Sequence, residues 1–236
     1  MRALRLLPWI ALAVAIAVGA SGYGNKLGLW DYRAAFEILK VATYAAIGIA
    51  AIALVLLLVP RTRRGHAAPL GVTVVLAFAA LALPLYWLQL ARTVPPINDI
   101  TTDVADPPEF VAILPVRASA PVPATYAGKE TAEAQRKAYP DIAPIALAIA
   151  PQAAFARALA IARDQGWTIV AADEKTGRIE ATATTAWFGF RDDVVIRVRP
   201  DSSGSRVDLR SVSRVGKSDL GANAKRIRDF SARLRS

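Results

Sequence analysis

Cysteine is absent from the 236 residues, and histidine and methionine each occur once. No disulfide framework and no thiolate nucleophile or ligand can form, and cysteine usage leaves the redox compartment open. The single histidine, His66, excludes a multi-histidine metal site within the chain. Its position also removes Ser-His and Cys-His nucleophile systems from the C-terminal half. Acidic residues are the minority charge: 29 Lys and Arg stand against 19 Asp and Glu, for a net charge of +10.

Over one stretch charge of either sign nearly vanishes. Ile38 to Val59 reads ILKVATYAAIGIAAIALVLLLV, 22 positions with Lys40 as the one charge. As a helix this run covers about 33 Å, enough for a hydrocarbon core of about 30 Å. Lys40 lies near one end, where its stem reaches the interface. Two further apolar segments flank it, Leu6 to about Tyr23 and Leu70 to Ala91, the latter with Pro84 expected to kink its outer third. Trp9, Tyr23, Trp30, Tyr32, Tyr86 and Trp87 fall near the segment ends, where amphipathic rings favour the headgroup layer. The sequence therefore predicts a transmembrane anchor over residues 1–92, with spans at about 6–23, 38–59 and 70–91.

Orientation follows from the short loops. Arg2 and Arg5 precede the first segment, and Arg61, Arg63 and Arg64 join the second to the third. The loop from Ser21 to Glu37 balances Lys26 and Arg33 against Asp31 and Glu37. The positive-inside rule puts the N-terminus and residues 60–69 in the cytoplasm, so three crossings leave everything after Arg92 outside. In a double-membrane bacterium that compartment is the periplasm and the anchoring membrane the inner one. A competing reading takes Arg2, Arg5, a short apolar core and Val18-Gly19-Ala20 as a cleavable signal peptide; the outside placement survives it. His66, in the basic loop, is assigned no role.

Residues 93–143 read as a Pro/Asp-rich connector. VPPINDITTDVADPPEF holds four prolines in seventeen residues, and Pro115, Pro121 and Pro123 follow. Proline fixes φ and removes a donor, so the stretch is expected as extended chain lying against a surface. Asp99, Asp103 and Asp106 lack the spacing of a calcium loop and are read as turn and cap residues, and no metal site is expected. Residues 131–140, TAEAQRKAYP, form a short polar helix in this reading.

From residue 144 onward the pattern is regular. Ile145 to Ala150 is a strand; Pro151 opens a helix that Gly166 stops; Trp167 to Ala171 starts a second strand. Period-two alternation marks Arg178 to Thr185, Asp193 to Arg199 and Arg206 to Ser213, the last two joined by the loop PDSSGS. Asp219 to Leu234 ends the chain as a helix with Leu220, Ile227, Phe230 and Leu234 as its apolar stripe. The fold class is thus a three-span α-helical anchor plus an α+β domain over 144–236. Its order is β-α-β-β-β-β-α, one antiparallel sheet with helices on one face.

The densest polar stretch is RSVSRVGKSDLGANAKRIR, Arg210 to Arg228. VGKSD is not a phosphate loop, because Ser211 stands where the first glycine is required. Gly216 is read as a turn, and Ser218 or Asp219 as the cap of the final helix. Arg210 and Arg214 share a strand face near that helix start, an arrangement suited to phosphate, sulfate or carboxylate. Asp192, Asp193 and Asp208 offer internal partners for the same arginines, so an ion-pair scaffold and an external anion site both remain open. Adjacent in a strand, Asp192 and Asp193 point to opposite faces, which is poor geometry for paired carboxylate catalysis.

FGFRDDVVIRVRP, SRVDLRSVSRVGKSDLGANAKRIRDF and the upstream PPINDITTDVADPPEFVA together resemble the family numbered 1499 among domains of unknown function. The resemblance covers about residues 97–236 and rests on the pattern RSxSRxGxSDxGxNxxRI, in which Lys217 fills a variable slot. It implies a bacterial, often membrane-linked protein without an assigned activity. It also implies a family-typical polar set: Asp192, Asp193, Arg210, Ser211, Ser213, Arg214, Gly216, Asp219, Gly221, Asn223 and Arg226.

The function expected from the sequence is a binding or structural role in the cell envelope, without a cofactor. The expected partners are membrane lipids, an anionic ligand or an envelope protein. Nucleic acid is disfavoured by the outside placement and by the lack of an aromatic-plus-basic reading surface. The alternative is an enzyme acting on an anionic substrate through Asp192 or Asp193 with Arg210 and Arg214.

Overall fold

The apolar segments become three helices in a computed structural model that describes residues 2–202 and 204–236. Ser203, in the loop expected between the last two strands, lies outside the described residues. Helices α1 (Leu7–Lys26), α2 (Tyr32–Leu58) and α3 (Pro60–Thr93) are each long and apolar enough to cross a membrane. Helix α2 starts six residues before the apolar run because Asp31 caps it, accepting the Ala34 N–H at 2.8 Å. Pro60 starts α3 in the same way, its fixed φ and missing N–H costing nothing in a first turn. The basic segment expected as a loop is therefore helical. Pro84 lies within α3. Within α3 the backbone leaves helical geometry at His66 (φ −141°, ψ 17°), in the turn before Pro69, whose ring crowds the Gly65 carbonyl and offers it no N–H.

The helices meet through small residues. Val18 of α1, Ala42 and Ala46 of α2, and Ala80 and Leu81 of α3 form one buried cluster. Alanine lets backbones approach closely where lipid supplies no hydrophobic drive. Residues 186–189 cluster by contact with this helical unit, residues 1–90. The Trp187 indole N–H donates to the Gly19 carbonyl at 2.7 Å, and the Asn25 amide donates to the Phe188 carbonyl at 2.6 Å. A Cβ on Gly22 would lie 2.6 Å from the Trp187 ring, so glycine is required there.

Residues 91–185 and 190–236 form the second compact unit. Its strands are β1 (Asp99–Thr101), β2 (Ile145–Leu147), β3 (Thr168–Asp173), β4 (Arg178–Thr184), β5 (Arg191–Asp201) and β6 (Gly204–Ser213). Its helices are α4 (Lys129–Ala138), α5 (Pro151–Asp164) and α6 (Ala222–Arg235). The sheet runs β1-β6-β5-β4-β3, with β2 also paired to β6, and every pairing is antiparallel. The α+β reading with helices over one face of an antiparallel sheet is what the structure shows.

One difference matters for the site. The connector stretch contributes a strand, a 3-10 turn (Pro115–Arg117) and α4, and β1 joins the sheet by setting Asp99 opposite Val212 and Thr101 opposite Arg210. Alternation then sorts the sheet into two faces. Ile179, Ala181, Val194, Ile196, Val207 and Leu209 pack under α5 and α6 with Phe155, Ile227, Phe230 and Leu234. Trp167 stacks on Phe230 with ring centroids 5.5 Å apart. On the opposite face Val195 and Val212 pack under Phe110 and Ile113 of the proline-rich segment, which crosses the sheet as a strap.

Candidate functional site

The strap face carries charge where the helix face carries aliphatic side chains. Asp193 of β5 is its centre and is wholly buried. Its Oδ1 accepts from Arg214 Nη2 at 2.8 Å and from Thr182 Oγ1 at 2.9 Å. Its Oδ2 accepts from Arg214 Nε at 2.9 Å and from Arg117 Nη1 at 3.1 Å. A carboxylate has about four acceptor positions, so this one is filled by its own chain. Arg117, a strap residue, also donates to the Val122 and Pro123 carbonyls. Burial pulls its pKa down, and the Asp193 charge opposes that.

Arg210 of β6 is the largest fully buried side chain among the described residues. Its expected partners were the aspartates of the neighbouring strands, but the structure gives it Asp99 of β1. The pair is bidentate, Nε to Oδ1 at 2.9 Å and Nη2 to Oδ2 at 2.7 Å. Nη2 also donates to the Ala124 carbonyl at 2.8 Å. The guanidinium carbon lies 5.2 Å from the Phe110 ring centroid and 5.3 Å from that of Tyr126, both strap residues. Asp208, expected to serve Arg210 or Arg214, instead takes Arg197, Arg199 and Arg206. The strap adds Asp103 and Asp106 to that cluster. Asp103 also makes the expected turn, its Oδ1 accepting from the Ala105 and Asp106 amides.

Asp192, one residue before Asp193, points the other way, as strand geometry requires. On the helix face it accepts from Arg226 Nη2 at 2.7 Å. Around it Ser211 Oγ donates to Asn223 Oδ1 at 2.6 Å, and Asn223 Nδ2 donates to Ser213 Oγ at 3.1 Å and to the Asn98 carbonyl at 3.0 Å. Arg226 Nη1 donates to both Ser211 Oγ and Asn223 Oδ1. Arg226, Asn223, Ser211, Ser213 and Asp192 thus form one network that ties α6 to β5 and β6.

The expected cap is present but displaced. Helix α6 begins at Ala222, after two residues at positive φ, Leu220 (53°) and Gly221 (79°). Asp219 reaches over them: its carboxylate accepts from the Gly221 N–H and the Asn223 N–H, each at 2.8 Å. Burial raises the Asp219 pKa, and the two amide bonds oppose that shift. Gly216, at φ 91°, makes the expected turn, and its carbonyl accepts from Asn98 Nδ2.

The eleven sequence-selected residues therefore fall into two groups, one on each sheet face. Asp193, Arg210 and Arg214 lie under the strap; Asp192, Ser211, Ser213, Asn223 and Arg226 lie under α6, with Gly216, Asp219 and Gly221 shaping the turn before it. Sequence reasoning missed Arg117, Glu180 and the pairing role of Asp99. Glu180 of β4 is buried and accepts from three successive strap amides, Val111, Ala112 and Ile113, at 2.9, 3.1 and 2.9 Å. The only signal for it was alternation, since Glu180 shares the face of Arg178 and Thr182.

A family model matches residues 99–234, and its description is a protein of unknown function, DUF1499. The match spans more than half of the chain. The chain belongs to the DUF1499 family. No curated protein matches it. The matched region opens at β1, so the strand that holds Asp99 is part of the DUF1499 unit.

Tyr126 yields a direct test of the strap. Its hydroxyl is buried without a hydrogen-bond partner among the described residues, and burial, with the Asp99 charge, raises its pKa from 10.0 to about 12. The folded state holds the neutral phenol while the unfolded chain ionises, so the tyrosine's contribution is complete below pH 10 and is lost as pH rises toward 12. Urea midpoints of the full chain in detergent, followed by pulse proteolysis of the DUF1499 unit, should fall across this window. In Tyr126→Phe the fall should be shallower, with no loss at pH 7, because the change removes an unpaired polar group. An equally steep fall in the variant would contradict the buried phenol.

Proposed function

We propose that this protein is a bacterial inner-membrane protein whose three helices anchor a DUF1499 module outside the cytoplasm, and that the module has a binding or structural role in the envelope. The observation that carries the non-catalytic part is the state of Asp193, whose four acceptor positions are taken by Arg117, Arg214 and Thr182. A general base needs a free lone pair aimed at the proton it takes, and a nucleophilic carboxylate needs an accessible oxygen. The Asp192 carboxylate is engaged by Arg226, and the Arg210 guanidinium by Asp99. These arginines have internal anions, which favours the scaffold over an external anion site.

The orientation rests on charge. The start of α3, next to the end of α2, carries Arg61, Arg63 and Arg64, with no acidic residue from Ile38 to Asn98. The positive-inside rule assigns that end of α2 and α3 to the cytoplasm and residues after α3 to the other side. An alkaline phosphatase fused after Ser236 should then be active in cells, and a green fluorescent protein fused there should be dark. The reverse pair of results would place the module in the cytoplasm and reopen nucleic acid as a partner.

A further inference from the structure

The arginines of the DUF1499 unit discussed above face carboxylates. Arg61, Arg63 and Arg64 do not. All three are exposed, and among the described residues none makes an ion pair. The two acids of the helical unit are committed elsewhere, Asp31 to the cap of α2 and Glu37 to Lys40. Three arginines within the first five residues of α3 therefore carry charge that no acidic side chain of the helical unit offsets.

Their setting narrows what can compensate them. Val59 alone separates α2 from α3, so the arginines, in the first turns of α3, lie next to the apolar end of α2 in the chain. Thr62 Oγ1 donates to the Val59 carbonyl at 2.9 Å and so fastens the turn to the end of α2. Arg61 and Arg64, three apart, lie on neighbouring sides of the helix. The break at His66 separates these basic first turns from the apolar remainder of α3. His66 is itself buried, and its Nδ1 has no partner among the described residues. A ligand for this place must be anionic, must present oxygens that a guanidinium fork can take in pairs, and must reside at the boundary of a hydrocarbon layer.

We propose that Arg61, Arg63 and Arg64 form a binding site for the phosphodiester headgroup of an anionic membrane lipid. The site rests on the reading of α2 and α3 as membrane spans and adds a ligand class to it. The lipid's acyl chains lie along the apolar helices while the headgroup oxygens accept from the guanidinium groups. Each arginine near an anionic surface contributes about a five-fold gain in affinity. Zwitterionic lipid has the same phosphodiester but carries its own cation, and the selectivity comes from that difference.

The test uses the full chain extracted in detergent and titrated with phosphatidylglycerol or phosphatidylcholine, bound lipids being counted by native mass spectrometry. The wild-type chain should retain phosphatidylglycerol in strong preference to phosphatidylcholine. Each of R61Q, R63Q and R64Q should weaken that retention about five-fold, and the triple variant should abolish the preference. Excess inorganic phosphate should leave the lipid bound, because free phosphate has no acyl chains to hold it. Equal retention of the two lipids by the wild-type chain would overturn the site, and so would an unchanged preference in the single variants. Displacement by inorganic phosphate would make it a free-phosphate site and overturn the assignment to lipid. Release of the chain from membranes by carbonate washing would overturn the span reading together with the site, whereas equal lipid retention by a wash-resistant chain overturns the site alone.

Discussion

Asp193→Asn should remove most of the module's stability margin. The substitution keeps the shape of the side chain but removes the charge that two guanidinium groups share, and it turns an amide donor toward Arg117 or Arg214. Breaking a buried ion pair from one side costs about 3–5 kcal/mol, because the remaining charge stays buried without compensation. Two arginines are left here, and a domain of this size has only about 5–15 kcal/mol in total. Urea titration of the full chain in detergent, read by pulse proteolysis, should show a midpoint far below wild type. Arg214→Ala should cost less, about 1–3 kcal/mol, because Asp193 keeps Arg117 and Thr182. A wild-type midpoint in Asp193→Asn would mean that the carboxylate is not the hub of the strap face.

The Arg210 and Asp99 pair gives the second large effect and a sharper signature. Either Arg210→Met or Asp99→Leu alone should cost about 3–5 kcal/mol, since each strands a buried opposite charge. The two together should cost less than either alone. Only the carbonyls of Ala124 and Pro108, which Arg210 served, then lack a donor, at about 1–3 kcal/mol. The unbranched thioether introduced by Arg210→Met would still fill the slot between Phe110 and Tyr126 with apolar volume. A double-mutant cycle on the same urea midpoints measures this. Additive losses would show that Arg210 and Asp99 do not act as a pair and that β1 is held by something else.

Much of this architecture could be read from the sequence. The 22-residue apolar run located α2, and period-two alternation located β4, β5 and β6 because each has one face in an aliphatic core. Gly216, Gly221 and Asp219 were legible because turns and caps are local chemistry. The strap was not legible as a partner of the sheet. β1 is three residues long inside a proline-rich stretch, and its pairing is decided by β6, more than a hundred residues later. Asp99 looked like a turn aspartate because nothing in its neighbourhood announces the burial of Arg210. Glu180 and Thr182 alternate with Ala181 and Ala183, a pattern that marks one polar face without saying what covers it. The cover is backbone amides and arginine from the strap, which hydropathy does not register. The break at His66, in the turn before Pro69, was not singled out, because a proline pattern marks where a helix is permitted to break without saying which proline breaks it.

That Arg117, Arg210, Arg214 and Arg226 are committed to internal carboxylates is best checked by thermal unfolding of the full chain in detergent with and without inorganic phosphate. Wild type and Arg214→Ala are compared. The scaffold predicts a lower midpoint for Arg214→Ala, the same with and without phosphate, and no phosphate-induced rise in the module transition of wild type. A wild-type transition that rises with phosphate, together with an Arg214→Ala variant that melts like wild type but has lost that rise, would contradict the account.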